Sequence, residues 1–169
     1  LHPQVWEDTW RERKCERVWR ESETSMSLGV DIYIPTEYVA DANLRMTFYK
    51  KIASAVSDQR VEDIRGEMRD RFGALPAKVE SLLHFVKVKR LAQSLGVVSV
   101  VREGSLAVVK LSPAARVDPN RLVEVMRTDN RIKFSQAGVL SLPLGQQGTA
   151  IIGEIEWLLK NIAAQECVG

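Results

Sequence analysis

Three carboxylates recur at helical spacing in the stretch VEDIRGEMRDRFGALP, residues 61–76: Asp63, Glu67 and Asp70. At about 100° per residue they share one side of a helix, roughly opposite an apolar stripe of Val61, Ile64, Met68 and Phe72. Paired carboxylates can work as general acid and base, but only where a pocket shifts their pKa values, and a convex helix face offers none. The ridge can instead solvate the helix or grip cations on another surface. Local partners exist for the solvating role: Glu67 and Arg71 are spaced i,i+4, and Arg60 and Asp63 i,i+3. Such exposed pairs contribute only about 0.2–1 kcal/mol each.

The other groups capable of chemistry are few. His2 and His84 are the only histidines and neither sits in a metal-spaced or nucleophile-like cluster. His84 falls inside a long apolar helix, where a packed or hydrogen-bonded histidine is the ordinary reading. There is no G-x-x-x-x-G-K-[ST] to cradle a triphosphate. The loop LGQQGT, residues 144–149, precedes a helix and could attract an anion, although a plain loop ending in a Thr cap is the stronger reading. Lys87, Lys89 and Arg90 form a basic patch, flanked by Arg65 and Arg69, that could meet phosphates. Cations also suit helix C-termini and cover apolar surface with their stems, and no aromatic residues interleave here as a single-strand platform requires. Nothing in the chain calls for a cofactor or metal, and catalysis within it is not expected.

The elements that must position these groups follow from periodicity. Residues 25–34 read as a strand ended by Pro35. Asp41 suits the cap of a helix with Leu44, Phe48, Ile52 and Val56 along one face. Asp58 starts the acidic helix, and Gly73 is placed to end it in a left-handed conformation. Pro76 suits the first turn of a third helix, 76–95, closed by Gly96 and apolar nearly all round, hence central. VVSVVRE and SLAVVKLS then read as a hairpin about Glu103-Gly104, Asp118-Pro119 opens a short helix, and RIKFSQ and GVLSLPL make a second pair turning near Gly138. Thr149 is placed to cap a last helix with Ile151, Ile155, Leu158 and Ile162 inward. The order strand, three helices, two strands, helix, two strands, helix predicts an α+β fold, a mostly antiparallel sheet covered by helices.

The 169 residues suffice for one domain with its own core, 23–169, preceded by a linker or N-terminal arm at 1–22 that is charge-dense and holds Trp6, Trp10 and Trp19 in no single stripe. A net charge of +2 points to neither nucleic acid nor membrane. Cys15 and Cys167, far apart and outside any C-x-x-C, indicate no zinc site or disulfide framework, so a reducing, cytoplasmic setting is expected. No apolar run approaches the roughly 20 residues of a membrane span, and no signal peptide is visible. A chain beginning with Leu reads as a piece of a longer protein.

The segment from Tyr33 to Val97 carries a more specific signal. Ile34-Pro35 with Tyr38, then Arg45 and Tyr49-Lys50-Lys51, then Glu67, Asp70-Arg71-Phe72-Gly73 and Leu75-Pro76 resemble the C-terminal domain of bacterial transcription-repair coupling factors, the Mfd family. The likeness is strong over about residues 28–111, holds beyond that only in the order of elements, and does not reach residues 1–22. The resemblance implies a parent translocase driven by ATP and magnesium, acting on double-stranded DNA, that displaces stalled RNA polymerase and recruits UvrA. It implies that this domain is noncatalytic, packs on the UvrB-like N-terminal module of the same chain, and masks that module's UvrA-binding surface. Carried over by motif, the docking acids are Glu67 and Asp70; Asp63 is added from the helical wheel. The competing expectation is a nucleic-acid-contacting accessory domain using Lys87, Lys89 and Arg90.

Overall fold

The computed structural model describes residues 24–164; the expected arm at 1–22 lies outside them. The elements are β1 (Ser25–Ser27), α1 (Ala42–Ala53), α2 (Asp58–Phe72), α3 (Ala77–Leu95), β2 (Val97–Glu103), β3 (Leu106–Leu111), α4 (Pro119–Thr128), β4 (Lys133–Phe134), β5 (Val139–Pro143) and α5 (Ile151–Ile162). The fold is α+β in the expected order. Its five strands line up as β1-β2-β3-β5-β4. Every pairing is antiparallel except β1 with β2, which run parallel.

Local chemistry explains most element boundaries. Asp41 caps α1 by accepting from the Leu44 N–H at 3.0 Å, and Asp118 caps α4 by accepting from the Asn120 N–H at 2.9 Å. Gly96 ends α3 at φ 80°, and a Cβ there would stand 3.0 Å from the Ala115 backbone, so both conformation and space require glycine.

Four expectations need correction. The first strand stops at Ser27 rather than residue 34, because Gly29 adopts φ 62° and turns the chain off the sheet. Helix α1 ends at Ala53, so Val56 lies beyond it and is 81% exposed. Gly73 does take a positive φ, 89°, but with ψ −168° it leaves α2 by an extended step instead of a left-handed cap. Thr149 sits inside a 3₁₀ turn, Gly148–Ala150, that leads into α5 without a side-chain cap.

Burial divides along the chain. One cluster joins the inward residues of the sheet, such as Val100, Val109 and Leu140, to α4, α5 and the second half of α3. A second joins Ile34, Val39, α1, α2 and the first half of α3 around Phe48, Ile64 and Met68. Helix α3 is therefore central, as its all-round apolar character predicts, because its two halves serve two cores.

Candidate docking interface

Each face of α2 has a different neighbour. Val61, Ile64 and Met68 are buried, and Phe72 packs edge-on against Phe48 and Tyr38 at ring separations of 5.6 and 5.7 Å. Toward α3, Asp58 accepts from Arg90 at 2.7 Å, Glu62 pairs with Lys87, and Arg65 reaches Glu80 at 2.8 Å. Toward α1, the Glu67 carboxylate accepts from Lys51 at 2.9 and 3.1 Å and from Arg71 at 3.4 Å. What remains on the solvent side is Gln59, Arg60, Asp63, Arg69 and Asp70, with Gly66 half-buried between them.

The three predicted acids therefore do not form one ridge. Asp63 and Asp70 are exposed, two turns or about 10 Å apart along the axis. Asp63 accepts from Gln59 at 3.0 Å instead of pairing with Arg60. Asp70 has no ion pair among the described residues. Glu67 is half-buried and serves as a strut between α1 and α2. The wheel placed all three on one side, but it could not show that Lys51 approaches that side from the preceding helix.

The predicted basic patch is also largely committed within the fold. Lys87 is bound to Glu62, and Arg90 to both Asp58 and the Val56 carbonyl. Only Lys89 of the three shows no such bond among the described residues. His84 is neither buried nor clustered with ligands: its Nε2 lies 2.7 Å from Glu156 on α5. The LGQQGT loop does attract an anion, but an internal one. Glu154 accepts from the Gly145 and Gln146 N–H groups at 2.9 and 3.2 Å. That loop borders an open cleft of about 530 Å³ lined by Ile132, Leu142 and Trp157. Its Asp129 and Arg131 bind one another at 2.9 Å, leaving it no free acid–base pair. Among the described residues no cluster of His, Cys, Asp or Glu could hold a metal, and no helix is long and apolar enough to cross a membrane.

The quoted motif residues mostly hold the helical unit together. The Ile34 N–H donates to the Tyr49 hydroxyl at 2.7 Å, and the Tyr38 hydroxyl donates to the Gly73 carbonyl at 2.7 Å, closing the end of α2. Arg45 donates to the Val39 and Ala40 carbonyls at 2.7 and 2.9 Å. Asp70 stands apart as a motif acid with no such intramolecular task among the described residues.

The TRCF domain family model matches residues 28–122, more than half of the chain. The chain belongs to the TRCF domain family. This TRCF domain is similar to the transcription-repair-coupling factors of Haemophilus influenzae (29% identical, 70% of this chain, 10% of the relative), Escherichia coli K12 (30%, 68% and 11%) and Rickettsia conorii (31%, 82% and 12%). It thus spans about a tenth of the length of the curated relatives it matches. A crystal structure of the C-terminal domain of a transcription-repair coupling factor shares the fold, with TM-score 0.66 and 21% identity over 82% of this chain and 94% of that one.

The α2 ion pairs are expected to make the TRCF domain sensitive to acid. The hydrogen bond from Lys87 holds the Glu62 carboxyl below its ordinary range, aided by Arg65, and the hydrogen bond from Lys51 does the same for Glu67. At Glu156 burial pushes upward, but His84 and Lys160 outweigh it. A carboxylate whose folded pKa is depressed adds stability above its unfolded pKa of about 4.3, and that stability is lost as pH falls through the lower folded value. The urea midpoint is therefore expected to fall between about pH 5 and 3, and to fall less in the double variant Glu62→Gln, Glu67→Gln. Equal slopes for the two proteins would show that these pairs do not couple to folding.

Proposed function

We propose that this TRCF domain is a noncatalytic regulatory module of a transcription-coupled DNA repair translocase, docking through the outward face of α2 on a UvrB-like N-terminal module of the same longer polypeptide and masking its UvrA-binding surface. The observation that carries the reading is the charge pattern of α2. Its carboxylates toward α1 and α3 are all answered by cations of this fold, whereas among the described residues Asp63 and Asp70 form no ion pair, even with the exposed Arg60 and Arg69 beside them. Two carboxylates set two turns apart on one helix, without an ion pair among the described residues, suit a surface of Arg or Lys side chains. Glu67 joins this face only at its edge, already neutralised by Lys51 and Arg71.

The competing nucleic-acid reading is weaker because Lys87 and Arg90 spend their charge on α2. The names of the relatives support a role in repair coupled to transcription; RNA polymerase, UvrA and double-stranded DNA as partners of the whole protein, ATP and magnesium for its motor, and a cytoplasmic setting are part of the proposal and rest on the motif resemblance alone. A modest contact suffices for masking. Tethering by a short flexible linker gives an effective concentration near 1 mM, so a Kd of about 10 μM keeps the contact closed roughly a hundredfold over open. Deleting this domain from the intact protein is expected to raise affinity for UvrA by up to that factor, measured by equilibrium binding. Unchanged affinity would remove masking as the mechanism.

A further inference from the structure

The two apolar clusters share no member: ten buried residues surround α1 and α2, and twenty surround the sheet. Helix α3 runs through both, with Val79 and Leu83 in the smaller and Val88, Ala92 and Leu95 in the larger. Helices α1 and α2 make no extensive contact with the sheet, α4 or α5. Past the shared part of α3, α2 is tied down by charge, through Arg90 to Asp58 and Lys87 to Glu62, whose side chains are between 26% and 69% exposed. Pairs this exposed are weak and screened by salt. Helix α2 also carries Gly66 at mid-helix. It has no positive φ, and a Cβ there would meet nothing within 4 Å, so glycine serves no packing need and only loosens the helix.

We propose that the α1–α2 hairpin, with the first turns of α3, is a separately opening unit that unfolds as one piece while the sheet, α4, α5 and the rest of α3 stay folded. A helical unit of about 50 residues buries too little to match the larger core, and native proteins open along such boundaries. The consequence for docking rests on the reading above. Asp63 and Asp70 form a face only while the hairpin is closed, so a docked partner and the order of α1–α2 stabilise one another.

Hydrogen exchange of this chain, read by mass spectrometry with no partner present, tests the proposal. Peptides from α1 and α2 are expected to exchange at least roughly tenfold faster than those from β3, β5 and α5. Raising salt to about 0.5 M should speed the first group alone. Gly66→Ala should slow α1 and α2 together by about fivefold, the difference in helix propensity, and leave the sheet unchanged. One common opening for both regions, or a slowing confined to α2, would overturn the proposal. Loss of docking on Asp70→Ala leaves this exchange pattern intact, so the two readings fail separately.

Discussion

Asp70→Ala, alone or with Asp63→Ala, is expected to weaken binding of the domain to the UvrB-like module by about 2–5 kcal/mol, roughly thirtyfold to several thousandfold in Kd. The melting temperature of the domain should stay within about 1 °C of its starting value, because neither carboxylate forms an ion pair among the described residues. The magnitude comes from the partner's side: a buried Arg or Lys stripped of its carboxylate keeps its desolvation cost and loses its compensation. Glu67→Ala is the informative contrast. Removing it leaves Lys51 and Arg71 without their shared acceptor, so it should lower the stability of the domain by up to about 1 kcal/mol, more than it lowers docking. Calorimetric titration together with thermal melts of the three variants separates these effects. Normal docking by the Asp63/Asp70 double variant would make the outward carboxylates a solvating surface.

Phe48→Ala should cost about 3–5 kcal/mol, the largest stability loss expected of a single substitution in the helical unit. Phe48 is fully buried, meets Phe72 edge-on at 5.6 Å, and lies beneath Lys51 and Arg71, whose cations stand 5.1 and 5.6 Å from its ring centroid. Truncation therefore opens a cavity, removes an aromatic contact and takes away the surface that orients both partners of Glu67. With the hairpin as a separate unit, the loss should appear as an earlier helical transition in urea, with near-native sheet signal retained beyond it. A loss below about 1 kcal/mol would mean that the site collapses around the smaller side chain.

The order of elements was legible because each carries its own local signal. The 3.6-residue stripe of Ile151, Ile155, Leu158 and Ile162 is fully buried, and Asp41 and Asp118 cap the helices they precede. Errors came where one residue's conformation outweighs a run of propensity: Gly29 ends β1 seven residues early despite the apolar alternation that follows. The candidate site was legible only in part. Spacing assigns a residue to a side of its own helix and says nothing of which neighbour covers that side. Glu67 and Asp70 look alike on a wheel, yet Lys51 covers one and solvent the other.

By itself, then, the order of residues determined what is local: where helices and strands form, which stripe of each turns inward, and, through the motif about Asp70-Arg71-Phe72-Gly73, the family. Tertiary structure alone decided the parallel pairing of β1 with β2, the division into two cores along α3, and which charges are satisfied at home. Those outcomes depend on residues tens of positions apart meeting in space, as Arg90 meets Asp58, and no short-range period encodes such a meeting.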